Sequence, residues 1–199
     1  REGAELLADG TAGPLSAQQR EIVAILKANG VQLQRLIEDL LDYQRTVAAI
    51  GQLEREPLDV AEVARSVADA HKLAAASRAI KLEVSAYPTP AFADRAKLRT
   101  LLDNLVSNAV KHSPEGGTVT IGVSQADGAA CVDVIDRGPG IAHENREKVF
   151  DWFFRGARAP GERIQGSGLG LAITQELVRA HEGSIELLDA STGAHFRVR

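Results

Sequence analysis

The sequence predicts an α+β protein: a mixed, mostly antiparallel sheet covered by helices and preceded by a helical hairpin or coiled-coil segment. Three observations lead there. Apolar residues recur at heptad spacing between residues 16 and 54. Beyond Pro57 the pattern breaks into alternating strands and shorter amphipathic helices, the mark of an α+β layer architecture. A glycine-rich stretch at 166–170, Gly-Ser-Gly-Leu-Gly, runs straight into one of those helices.

Residues 1–7, REGAELL, read as the last turns of a helix, and ADGTAGP breaks it with two glycines and a proline. Ser16 is a candidate N-cap for a long second helix. Ile22, Leu26, Leu33, Leu36, Leu40 and Val47, with Asn29 and Tyr43 completing the series, form a heptad seam whose near-3.5 spacing favours left-handed coiled packing. Ile25, Ile37 and Leu41 widen the stripe toward a bundle. Some 35 residues of helix make a rod of roughly 50 Å, which cannot bury its own stripe. It needs the short first helix, a second copy of the chain, or both; the alternative is a lone helix packed on its own globular domain.

Pro57 marks the boundary between residues 1–54 and 55–199. Residues 60–79 form an amphipathic helix with Val60, Val63, Val67 and Ala70 on one side. IKLEVSA (80–86) alternates as a strand, AFAD (91–94) is a short strand, and a helix over 94–112 turns Leu98, Leu101, Leu102, Leu105 and Val106 inward. TVTIGVSQ and ACVDVID are strands joined by the turn ADGA, and a short helix sits near 143–150. Residues 155–167 are polar and rich in glycine and proline, and read as a mobile loop. A helix from 168 to 181 precedes a closing hairpin, SIELLDA with HFRVR.

Composition narrows the function classes. The net charge of −4 offers no basic face for nucleic acid. The single cysteine, Cys131, excludes an internal disulfide and a cysteine-only zinc site, and within AACVDVI it reads as a buried strand residue. No run of about 18 apolar residues offers a membrane span, and there is no signal peptide. Methionine is absent even from position 1, as in an excised fragment.

Four segments carry chemistry. In DNLVSNAVKHS (103–113), Asn104, Asn108, Lys111 and His112 recur at three- and four-residue spacing and share one helix face, with Leu105, Val106, Ala109 and Val110 on the other. Amide carbonyls suit a hydrated Mg²⁺ and an ammonium suits phosphate oxygens; a merely solvated face is the plain alternative. In DRGPGI (136–141), Asp136 ends an apolar strand, and Gly138 and Gly140 let the chain turn behind it. A carboxylate there can accept an exocyclic amino group such as adenine's, although Asp-x-Gly is also an ordinary turn. In FDWFFRG (150–156), Phe150, Phe153 and Phe154 are apolar anchors and Arg155 opens the polar loop; Trp152 reads as packing. Gly166, Gly168 and Gly170 precede a helix whose N-terminal N–H groups can cradle phosphate, with Leu169 and Leu171 beneath. No Gly-Lys-Ser/Thr comes after them, so this is not a Walker P-loop, and no strand runs into it as in a dinucleotide-binding turn.

In this order and spacing the four segments resemble the N, G1, F and G2 boxes of the sensor histidine kinases, a branch of the ATPase superfamily that includes gyrase and the mismatch-repair ATPases. The resemblance covers residues from about 55 to the end. The helical part resembles that family's dimerisation and phosphotransfer hairpin, and REGAELLADGTAGPLSAQQREIV looks most like membrane sensor kinases of Gram-negative bacteria. The resemblance implies a two-layer α/β sandwich that binds ATP and Mg²⁺ and transfers the γ-phosphoryl to a histidine, for relay to a response-regulator aspartate. It implies Asn108 as the Mg²⁺ ligand, Asn104 orienting the γ-phosphate or its attacker, Lys111 on phosphate oxygens and His112 beside the base. Asp136 accepts the adenine amino group, and Gly138 and Gly140 make room for the ring. Residues 155–167 become the ATP lid with Arg155 on the phosphates. Gly166, Gly168 and Gly170 hinge the lid, with Ser167 and Leu169 in the same nucleotide-binding stretch. The implied whole is a homodimer held by the hairpin, and this chain the cytoplasmic portion of an inner-membrane sensor.

One departure matters. The family's phosphoacceptor motif, His-Glu-x-x-x-Pro, does not occur, and none of the five histidines fits it: His71, His143, His181 and His195 lie in the ATP-binding part and His112 in the N box. A chain like this binds ATP but cannot phosphorylate itself at the usual place. Two rivals remain. A gyrase-type clamp hydrolyses ATP with a glutamate base where this chain has Asn104, and a scaffold module shows no Mg-dependent nucleotide binding.

Overall fold

The computed structural model describes residues 13–50, 53–154, 156 and 168–199. The reading of residues 1–7 as helix lies outside these, as do Arg155, Gly166 and Ser167. The chain divides into two compact units between Arg45 and Thr46.

The first unit is built on α1 (Ala17–Ile50), 34 residues long. Ser16 caps it as expected: its Oγ accepts from Gln19 N at 3.2 Å while Gln19 Oε1 accepts from Ser16 N at 2.8 Å, a reciprocal box that satisfies two otherwise orphaned donors. Ile22, Ile25, Leu26, Leu33 and Ile37 are each at least half exposed, so the apolar stripe is uncovered along much of its described length. Among the described residues no helix is long and apolar enough to cross a membrane.

The second unit is α+β. Its elements are β1 (Glu56–Asp59), α2 (Val60–Ala76), β2 (Lys81–Ala86), β3 (Pro90–Ala93), α3 (Arg95–His112), β4 (Thr118–Ala126), β5 (Ala129–Ile135), α4 (Gly170–Ala180), β6 (Ile185–Leu188) and β7 (His195–Val198). Five strands form one sheet in the order β2-β4-β5-β7-β6, in which only β2 and β4 run parallel. Period-2 alternation sets the faces: Val119, Ile121 and Val123 of β4 and Val132 and Val134 of β5 point into the core. Leu101, Leu102, Leu105 and Val106 of α3 and Leu177 and Val178 of α4 join the same core. Each such fully buried aliphatic side chain contributes about 1.5–3 kcal/mol of transfer free energy. The β4–β5 turn places Asp127 and Gly128 at φ +52° and +79°, the Asp-Gly geometry whose twist suits a two-residue hairpin.

Four expectations need correction. Pro57 is not a bare boundary: it lies in β1, which pairs antiparallel with β3 in a separate two-stranded sheet, Pro57 opposite Phe92. Proline is tolerated there because a short ribbon leaves one side of the strand without ladder partners. Ala70 is exposed, because the 3.6-residue period carries the buried stripe through Val60, Ala64, Val67, Ala68 and Ala75 and leaves position 70 outside. The helix near 143–150 is two single 3₁₀ turns, His143–Asn145 and Lys148–Phe150, each too short to hold α-type bonds. Phe153 is exposed, at φ +62°, so the backbone turns its ring outward; Phe150 does anchor, edge-to-face on Phe196 at 6.1 Å.

Candidate functional site

The site is organised by α3. Asp94 starts the helix: its Oδ1 accepts from Lys97 N at 3.0 Å, an N-cap bond. Burial pushes the Asp94 carboxyl up, but the Lys97 and Glu54 N–H groups and the Lys97 ammonium outweigh it and hold it below the usual carboxylate range. The same residue fixes the far end of α4, since its own N–H donates to His181 Nε2 at 3.1 Å and His181 Nδ1 lies 2.8 Å from Leu177 O. These contacts assign the neutral imidazole with its proton on Nδ1. His181 is therefore a structural tie, as its position after the helix implies.

Ten residues further along α3, Asn104 reaches the start of α4: its Nδ2 donates to Gly170 O at 3.3 Å. A Cβ on Gly170 would sit 3.7 Å from Asn104 Oδ1 and 3.8 Å from Asn108 Nδ2, so both amides border this glycine. Gly170 O also accepts from Thr174 Oγ1 at 2.8 Å. Leu169, 3 % exposed, anchors the helix start, and its side chain makes no cap bond to α4. The N–H groups and the positive dipole end of a helix N-terminus suit an anion. Gly168, at φ +76°, has no room for a Cβ against Phe154 O, and its carbonyl accepts from Phe153 N at 3.1 Å.

At its other end α3 meets the loop 136–141. A Cβ on Gly138 would fall 2.6 Å from His112 O. Asp136, 6 % exposed, accepts at Oδ1 from Gly138 N at 2.7 Å and Ala194 N at 3.1 Å. Both bonds fall on one oxygen, and among the described residues none is made to Oδ2, which can still accept. Eight residues of helix separate Asn104 from His112, about 12 Å of rise. One polar helix face thus joins a phosphate-type helix terminus to a buried carboxylate.

The structure brings Asn104, Asn108 and Gly170 together, and His112, Gly138 and Asp136 together. Lys111 lies on the same helix face, half-buried, and His112 is exposed. Arg155, Gly166 and Ser167 lie outside the described residues. Cys131 is buried in β5. Two residues escaped sequence reasoning. Gly193, at φ +74°, lies so close to Asp136 that a Cβ would overlap the Asp136 carbonyl, and its own oxygen is 2.9 Å from where a Gly140 Cβ would be. Thr174 is wholly buried beneath Gly170. The only local trace of the first is a Ser-Thr-Gly before β7; the second has none.

Among the described residues no group of three or more His, Cys, Asp or Glu could hold a metal ion. An amide carbonyl and phosphate oxygens are the kinds of ligand that suit Mg²⁺, which keeps several waters.

Comparisons with known proteins bear on the family and the fold. Residues 93–199 match the family described as histidine kinase-, DNA gyrase B-, and HSP90-like ATPase. Sensor histidine kinase GlrK of Escherichia coli strain K12 is 38 % identical over 191 residues, 96 % of this chain and 40 % of the relative. Sensor-like histidine kinase SenX3 of Mycolicibacterium smegmatis is 34 % identical over 180 residues, 89 % of this chain and 47 % of its own length. The chain thus spans less than half the length of these relatives. Among solved structures, full-length ShkA in complex with AMPPNP superposes with a TM-score of 0.69 at 33 % identity, covering 98 % of this chain and 41 % of that one. The nucleotide-free catalytic domain of histidine kinase ThkA gives 0.65 at 28 % identity, covering 73 % and 93 %.

Proposed function

Because the chain belongs to the histidine kinase-, DNA gyrase B- and HSP90-like ATPase family, we propose that it is the ATP-binding catalytic core of a sensor histidine kinase. It passes the γ-phosphoryl of ATP to a histidine outside these 199 residues, for relay to an aspartate of a response regulator in two-component signalling. The observation that carries this reading is the run of α3 from Asn104 at the α4 terminus to His112 at the Asp136 loop. One helix face links a phosphate-type site to a purine-type carboxylate at the spacing of a single nucleotide.

The roles follow the chemistry. Asp136 Oδ2 accepts the adenine amino group, held still because Oδ1 is bonded to Gly138 and Ala194. Lys111 and the first N–H groups of α4 offset phosphate charge, and Arg155 adds to them from the segment 155–167, which serves as lid. Asn108 holds Mg²⁺ through its amide oxygen, beside Gly170. When bound, the ion supplies charge neutralisation on the phosphates. Asn104 is tied to Gly170 O and orients rather than abstracts, because an amide is not a base. With no carboxylate at that place to activate water, transfer is favoured over hydrolysis, unlike a gyrase-type clamp. In the transfer a nitrogen–phosphorus bond forms on the acceptor imidazole as the bond from the γ-phosphorus to the bridging oxygen breaks, and ADP departs. The uncovered stripe of α1 is the surface for homodimerisation, and residues 55–199 are the catalytic part.

The test adds this chain with γ-labelled ATP to a separately made helical hairpin carrying the acceptor histidine. Label transfers to the hairpin, and Asn108→Ala abolishes the transfer. A chain that shows no Mg-dependent ATP binding is a scaffold, and the proposal fails.

A further inference from the structure

We propose that Arg78 is a positioning residue for the nucleotide: it sets the C-terminal end of α3 and, through it, Lys111 and His112. Arg78 lies between α2 and β2, remote in sequence from the four boxes. Its Nη1 donates to Val110 O at 2.5 Å and Lys111 O at 2.7 Å, and its Nη2 to Ser113 O at 3.0 Å. Its own carbonyl accepts from Gly116 N at 3.2 Å, tying down the loop after α3.

These carbonyls need an outside donor. The last carbonyls of any helix lack intrahelical partners. Here the first carbonyl left over is that of Val110: the donor four residues beyond it would be residue 114, and Pro114 has no N–H. Ala109 O is still satisfied, by Ser113 N at 3.0 Å. Arg78 supplies what Pro114 cannot, with a planar fork of donors that reaches several oxygens at once. Its charge also opposes the negative end of the helix dipole.

This end of the helix is closely packed against the 136–141 loop. His112 O lies 2.6 Å from the place a Gly138 Cβ would take, and Gly138 N is bonded to Asp136 Oδ1 at 2.7 Å. A shift of the last turn of α3 therefore moves the Lys111 ammonium and presses on the purine loop together. Arg78 bonds to backbone on α3, not to the ligand, so it acts through other residues. The inference rests on the reading of Lys111 as a phosphate contact.

The test is calorimetric titration of the 199-residue chain with the magnesium complex of AMPPNP, well below the melting temperature of every variant. Arg78→Ala weakens binding about tenfold. Arg78→Lys keeps the charge but loses the fork, and weakens it about threefold. Leu58→Ala, buried in β1 outside the four segments, lowers the melting temperature and leaves affinity unchanged. Combining Arg78→Ala with Lys111→Ala loses less than the product of the two single effects, because one acts through the other. Should Arg78→Ala fail to fold, the Arg78→Lys result decides. Affinity within about twofold of the parent for every folded Arg78 variant, or losses that simply multiply in the double variant, overturns the inference. If Lys111→Ala weakens binding while Arg78 variants do not, only this inference falls. If Lys111→Ala is itself silent, the reading of Lys111 falls and takes this route with it.

Discussion

Asn104 Nδ2 donates to the carbonyl oxygen of Gly170 at 3.3 Å, and that oxygen also accepts from Thr174 Oγ1 at 2.8 Å. A side chain on one helix and a buried hydroxyl on another thus hold the first residue of α4 from two sides. The helix terminus is fixed in place before any anion arrives, and fixed donors stabilise charge without reorganising.

The two glycines of this turn should respond differently to alanine. At Gly170 a methyl group meets only ordinary contacts, 3.7 and 3.8 Å from Asn104 and Asn108, and alanine favours the helix by up to about 1 kcal/mol. Gly170→Ala therefore keeps or raises the melting temperature while weakening Mg-ATP binding about tenfold, since the methyl sits between the two amides. At Gly168 the backbone is left-handed and a Cβ would lie 2.8 Å from Phe154 O. Gly168→Ala costs about 1–2 kcal/mol for the backbone alone. Thermal melts and titration calorimetry on the pair separate the effects; equal losses of stability in both would contradict the geometry.

In the proposed site Asp136 has a structural role on one oxygen and a recognition role on the other. Asp136→Asn can still accept from Gly138 N and Ala194 N at one atom, but it presents an NH₂ where the adenine amino group needs an acceptor. The fold survives and ATP affinity falls by about 1.5–3 kcal/mol, the worth of a charged hydrogen bond. Asp136→Ala orphans two backbone N–H groups and destabilises the fold by about 1–3 kcal/mol as well. Circular-dichroism melts beside nucleotide titrations check both.

Much of this was legible because it is periodic. The faces of α3 follow from three- and four-residue spacing, and the inward residues of β4 and β5 from alternation. β1 was not legible: four residues containing a proline look like a linker until β3 lies beside them. Phe153 read as an anchor because its neighbours are apolar, yet its φ of +62° turns the ring outward. Arg78 and Thr174 left no signal, and Gly193 only a Ser-Thr-Gly, because each acts on a chain-distant partner or a backbone atom at close range.

Gly193 is the sharpest case of that kind. A Cβ there would collide with the Asp136 carbonyl, and the backbone is left-handed. Gly193→Ala should destabilise the domain by about 1–3 kcal/mol, as overpacking does. It should also weaken ATP binding, because Asp136 must move. A variant that melts lower yet binds ATP like the parent would show that the β6–β7 turn does not buttress the carboxylate.

Acid should unfold the domain through particular carboxylates. For Asp133, burial raises the carboxyl, but hydrogen bonds from Arg197 Nε and His195 Nε2 at 2.8 and 2.6 Å outweigh it and leave it lowered. Asp94 is lowered in the same sense. A carboxyl depressed by folding contributes stability that is fully present above its unfolded value, about 3.9. That contribution is lost as pH falls through the lower folded value. Asp94→Asn and Asp133→Asn should each reduce stability at neutral pH and flatten the acid limb, as read by urea midpoints between neutral and acid pH. An unchanged acid limb in both would show that neither carboxylate governs acid unfolding.

One nucleotide spanning α3, base at Asp136 and phosphates at Asn108 and the start of α4, is the central claim. A crystal structure of this chain with Mg²⁺ and AMPPNP tests it most directly. The expected result is the adenine amino group on Asp136 Oδ2 and the phosphate–metal cluster beside Asn108 and Gly170. A nucleotide bound elsewhere, or one that touches either residue without the other, would contradict it.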